Sequence, residues 1–297
     1  MINTLDHLEP FLQGTVLETS DVQSLPIDQS DQLAFAIAVP ASKAMEAWQQ
    51  MRSQLAQTGR YPVITDDVSF SRFFYEEEVE QGMMADPSPN TIIVEAATVD
   101  LPSFLDRCKT ADYLEEELDY SLEETGDRCG DAPQLATLRQ LIQNGTLKST
   151  LDLEQWLLKW ELAHCAADEA IAPLDTGYLD WYQPGSNILT LLLLPVEHGA
   201  DVLAYLHWYA ACTSGTPTAI QFLRDWHQRY GTELVCHYGT MLQFNVSRPP
   251  TTLEDAFQLA WEQQALAECT TVLPGISLRN HARALLKRHQ WFLHERP

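Results

Sequence analysis

Apolar positions change their period several times along the chain, and each change marks an element. Leu33 to Val39 (LAFAIAV) is a short apolar run closed by Pro40, which predicts a buried strand. From Ser42 to Gln57 the apolar residues Ala44, Met45, Trp48, Met51 and Leu55 recur at three and four, which predicts a helix that Gly59 stops. Tyr61 to Thr65 then reads as a second strand. Gln81 to Asn90, with two prolines and a glycine, reads as a loop, and Thr91 to Ala96 as a further strand.

The middle of the chain is helical in period. Over Asp100 to Gly126, Phe104, Leu105, Tyr113, Leu118 and Leu122 supply one face and carboxylates the other; helices follow over Pro133 to Gln143 and Leu151 to Ile171. The last third is mixed. Ile188 to Val196 and Val202 to Trp208 are predicted strands turning at Glu197-His198-Gly199, and Ala219 to Tyr230 is a helix ended by Gly231. Glu233 to His237 and Met241 to Ser247 form a hairpin around Tyr238-Gly239. Thr252 opens a helix through Glu268, with Glu254 and Asp255 in the first turn where the helix dipole favours acids. Together these elements predict an α+β fold. Its mixed sheet is built from the N-terminal segment 1–99 and the C-terminal segment 187–297, and 100–186 is an acidic helical insertion.

Charge sharpens this division. The 297 residues carry 42 acidic against 18 basic side chains, a formal net charge of -24. Between Asp66 and Asp131 there are 19 acids and 4 bases, whereas from Cys269 onward Arg279, Arg283, Lys287, Arg288 and Arg296 face only Glu295. A general nucleic-acid binder is basic, because phosphate neutralisation supplies most of its affinity, so direct nucleic-acid binding is not expected. The basic C-terminal segment could dock on the acidic middle or on a second copy. A hydrophobic fraction of 45% supports a sizeable core, and no apolar run reaches the ~18–20 residues of a membrane span. The first residues lack the basic start of a signal peptide, and the six cysteines form no CxxC pair, so a cytoplasmic protein with reduced thiols is expected.

The side chains offer several candidate chemistries. His207, Cys212, Cys236 and His237 have the donor types zinc uses, but neighbours on one strand point to opposite faces, so Cys236 and His237 do not converge and no metal is assigned. Cys212 with His198 or His227 would be a nucleophile and base, yet AACTSGT around it carries no cysteine-enzyme signature. Neither GxGxxG nor a P-loop occurs, so no cofactor is indicated, and no catalytic residue is assigned. Trp226 and Tyr230, four apart, share the buried face of their helix. That leaves His227 and Arg229, with Arg248, as candidate ligand-binding residues for a carboxylate or phosphate. The leading expectation is an interaction protein that meets a basic protein partner through acids such as Glu76, Glu77, Glu78, Glu115, Glu116 and Glu117. The alternatives are an enzyme or small-ligand binder with a pocket near Arg229 and Arg248, and a nucleic-acid mimic using the Asp66 to Asp131 carboxylates.

One ordered set of residues carries a family likeness. Trp226-His227-x-x-Tyr230-Gly231-x-Glu233-Leu234-Val235 is followed by Arg248-Pro249-Pro250-Thr251, then Ala256, Leu259-Ala260 and Glu262-Gln263. With Trp291-Phe292 near the end, and Trp48 and Thr58-Gly59-x-Tyr61-Pro62-Val63 near the start, the chain resembles the bacterial domain of unknown function 4253 family at both ends. The helical middle is not covered. The family's Gly-Trp-Asn-x-Cys-Pro stretch corresponds here to Trp208-Tyr209-Ala210-Ala211-Cys212-Thr213, and its Cys-Pro-Asp to Cys269-Thr270-Thr271. Its closing Trp-Trp-Asp is replaced by Leu293-His294-Glu295. The resemblance implies relatedness more than an activity, and an activity resting on those polar residues would be lost in this member.

Overall fold

The computed structural model describes residues 1–27, 30–66, 88–109, 113–208 and 211–296. The chain forms two compact units, one of Met1–Val99, Asp180–Arg248 and His289–Pro297, the other of Asp100–Leu179 and Pro249–Arg288.

The first unit is organised by a sheet of β1 (Val22–Pro26), β2 (Leu33–Pro40), β3 (Tyr61–Thr65), β4 (Ile188–Leu194), β5 (Thr232–Tyr238), β6 (Met241–Val246) and β7 (Gln290–His294). Their order is β1-β2-β4-β3-β5-β6-β7, with every neighbouring pair antiparallel except β3 and β5. The fold is α+β, and its mixed sheet draws strands from both ends of the chain.

Strand alternation assigns the two faces. Phe35, Ile37 and Val39 stand opposite Leu193, Leu191 and Leu189, and Ile64 opposite Leu191. With Leu8, Leu12, Trp48 and Met51 from the helices Leu5–Leu12 and Ala44–Ser53, they form one core cluster. The other face carries Leu234 paired with Phe244. The helix Thr216–Tyr230 packs there, its Phe222, Leu223, Trp226 and Tyr230 all buried. Trp226 anchors it: its ring lies 5.6 Å from Phe222 and 6.2 Å, edge-on, from Trp291 of β7.

Two predicted strands fold otherwise. Thr91 to Ala96 belongs to the helix Pro89–Ala96, because Ser88 caps it by accepting from the Thr91 N–H at 3.2 Å and Pro89 occupies its first turn. Val202 to Trp208 is not a strand either. Gly199–Ala204 is a 3-10 turn whose Ala200, Val202, Leu203 and Ala204 are all buried, and a run buried on every side carries no helical or strand period to read.

The second unit is helical, with a core of Leu114, Leu118, Leu138, Leu147, Leu153 and Leu157. Beside the helices Glu117–Cys129 and Thr150–His164 lies Leu278–Leu285, whose Arg279 and Arg283 are almost wholly buried. Arg279 pairs with Glu124 at 2.6 Å, Glu161 at 2.9 Å and Glu154, and Arg283 reaches the other oxygen of Glu161 at 2.5 Å. These two arginines of the basic C-terminal segment thus dock on the chain's own glutamates. Cys129 and Cys165, the ends of two of these helices, are joined as a disulfide with Cα atoms 4.5 Å apart, which corrects the expectation of reduced thiols for this pair. Among the described residues, no helix is long and apolar enough to cross a membrane.

Candidate functional site

A cavity of about 400 Å³ opens between the helix Thr216–Tyr230, the β5–β6 hairpin and the turn after β4. Its apolar lining comes from Leu223, Leu234 and Phe244, its polar lining from His198, Arg224, His227 and Thr232.

Each polar group is placed by local structure. Arg224 and His227 are three apart and so share a helix face. The helix ends at Gly231, whose φ of 62° is the left-handed conformation that lets the chain reverse into β5, and whose N–H bonds the His227 carbonyl at 2.8 Å. The reversal brings the Thr232 carbonyl to 2.7 Å from His227 Nδ1. A carbonyl can only accept, so Nδ1 carries the hydrogen and, in the neutral ring, Nε2 presents a lone pair. His198 stands across the opening, its ring centroid 6.1 Å from that of His227 and inclined at 72°. Arg224 donates from Nε and Nη2 to Oδ1 of the buried Asp201, at 3.1 and 2.8 Å, which orients the guanidinium; among the described residues Nη1 has no hydrogen-bond partner.

Close approach also fixes the turn bearing His198. A Cβ added to Gly199 would lie 2.5 Å from Tyr61 Oη and 2.6 Å from Cζ, inside contact distance. Tyr61 is held in turn by a 3.0 Å bond from its hydroxyl to the Leu234 carbonyl.

Of the ligand-binding residues expected from the sequence, the structure brings His227 to this cavity and not the two arginines. Arg229 pairs with Asp225 at 2.7 Å and lies over the Tyr230 ring at 4.8 Å, while Arg248 donates to the Gln228 carbonyl at 2.9 Å. Two residues beyond His227 is about 200° around a helix, so Arg229 leaves the face that Arg224 and His227 share. Arg224, three residues before His227, is the arginine that lines the cavity.

The other candidates separate. His207 and His237 are buried together, and burial holds them down, to about 3 and about 4. Cys236 instead joins the core on the β1–β4 side, and burial pushes its thiol up to about 12. Among the described residues no three His, Cys, Asp or Glu side chains are grouped to hold a metal. The Cys212 side chain, and Glu76, Glu77 and Glu78 entirely, lie outside the described residues. Glu115, Glu116 and Glu117 are exposed on the helical unit, with Glu115 at 3.5 Å from Arg139.

The fold is α+β, and its sheet unit has a cavity between one helix and a hairpin. Residues 190–294 match the model of the family described as a domain of unknown function, DUF4253. All nine residues lining the cavity fall inside the matched stretch, whereas the N-terminal likeness at Trp48 and 58–63 falls outside it. No curated protein and no solved structure matches the chain.

Proposed function

We propose that this domain binds a small molecule with an anionic head and an apolar body in the His198, Arg224 and His227 cavity. One observation carries the reading: the Arg224 guanidinium, held by Asp201, and two imidazoles line one cavity together with Leu223, Leu234 and Phe244. Ligand sites commonly combine an apolar lining with a few converging polar groups, and arginine suits carboxylate and phosphate.

Calorimetric titration with phenyl phosphate, benzoate and uncharged benzamide tests this. The two anions should saturate one site and benzamide should bind at least about tenfold more weakly, the worth of one charge-assisted hydrogen bond. Arg224→Gln combined with Asp201→Asn, which removes the ion pair whole, should abolish the anion preference. Arg229→Ala and Arg248→Ala should leave it within about twofold. Equal affinity for all three probes, or loss in the Arg229 and Arg248 variants alone, contradicts the reading.

A further inference from the structure

We infer that the helical unit carries a docking groove for an arginine- or lysine-bearing segment of another protein. The groove, about 410 Å³, has Tyr113, Tyr120 and Val272 in its lining, and these are 71%, 50% and 56% exposed, with Trp261 beside them. Large apolar side chains grouped in an open concavity mark contact surfaces. Tyr120 is held in place, since its hydroxyl donates to the Gly275 carbonyl at 3.0 Å.

Charge complementarity chooses the occupant. Glu116 and Glu117 line the same groove, and among the described residues neither takes part in an ion pair. Glu154, also in the lining, is committed to Arg279. Carboxylates beside aromatic rings suit a guanidinium or ammonium group, which pairs with the first and lies over the second. The chain's own Arg279 and Arg283 are buried and cannot fill the groove, and a second copy would bring another charge of -24. The occupant is therefore a cationic segment of a different protein, and steering toward it should weaken with salt.

The test is fluorescence anisotropy of a labelled peptide of alternating Arg, Lys and Gly, against the same peptide with Glu in place of the bases. The 297-residue chain should bind the cationic peptide and not the acidic one, more weakly as salt rises. Glu116→Gln with Glu117→Gln, and separately Tyr113→Ala, should each weaken binding about tenfold, with circular dichroism confirming an unchanged fold. Asp6→Asn with Glu9→Gln, the same loss of charge at exposed positions of the other unit, should leave affinity unchanged. Equal weakening by that control pair, unchanged affinity in the groove variants, or no preference for the cationic peptide overturns the inference.

Discussion

The His227 Nδ1–H donates to the Thr232 carbonyl at 2.7 Å across the Gly231 turn, and this bond decides which imidazole nitrogen a ligand can meet. With Nδ1 occupied, Nε2 is the ring nitrogen left to meet a partner. His227→Phe keeps the ring and loses both nitrogens. It should weaken anion binding about tenfold while lowering stability by only ~1 kcal/mol, the net worth of one hydrogen bond. Calorimetry and urea unfolding on the same variant separate the two effects; a large stability loss with unchanged affinity would make His227 structural.

Gly199 gives the turn its shape. Because the added Cβ would meet the rigid Tyr61 ring, Gly199→Ala should destabilise the sheet unit by ~1–3 kcal/mol and displace His198. Urea unfolding followed by the fluorescence of Trp226 in the cavity helix and Trp291 packed against it, both fully buried, reads the loss. Wild-type stability in this variant would show that the turn can move away from Tyr61.

The buried arginines of the helical unit predict a steeper penalty. Arg279→Met removes one partner and leaves Glu124, Glu154 and Glu161 crowded without it, so unfolding should cost ~3–5 kcal/mol less than in wild type. Arg139→Met, which breaks only the exposed pair with Glu115, should cost no more than ~1 kcal/mol. Similar losses in the two variants would contradict the burial described.

Acid should destabilise the sheet unit in a defined window. His207 and His237 titrate near 3 and 4 in the folded chain because burial disfavours their charged forms, well below histidine's ordinary value. Between those values and about 6.5 the unfolded chain binds more protons than the folded one, so stability rises with pH. It is fully present above about 6.5 and drains as pH falls toward 4, at up to ~1.4 kcal/mol per pH unit for each histidine. His237 Nδ1 accepts from the Gly239 N–H at 3.3 Å, so protonation there also sets two donors against each other. His237→Gln should flatten the unfolding free energy against pH over this window. An unchanged slope would exclude His237 as its source.

Local pattern made much of the fold legible. The β3 range Tyr61–Thr65 agrees at both ends with the expected strand, and the Thr252 cap, accepting from Asp255 N–H at 3.3 Å, opens its helix where expected. Thr91 to Ala96 misled because Ile92, Ile93 and Val94 favour strands, while the Ser88 cap and Pro89 carried the helix signal. The edge strand β1 is short and has no buried residue, so its periodicity is weak. Of the cavity's lining, His227 was legible from its place beside the buried Trp226. Arg224 was not, since its orientation depends on Asp201, which lies 23 residues earlier and is brought near only by the turn after β4. The Arg279 cluster was hidden for the same reason: its glutamates lie more than a hundred residues away.

The central claim is that His198 and His227 meet an anionic ligand in one cavity. Long-range proton–nitrogen NMR of the imidazoles during titration with phenyl phosphate tests it most directly. The account predicts that the ring nitrogens of His198 and Nε2 of His227 shift with a common saturation curve, that His227 Nδ1 keeps its hydrogen, and that the buried His207 and His237 stay unmoved. Saturable binding of phenyl phosphate with the His198 and His227 resonances unchanged would contradict it.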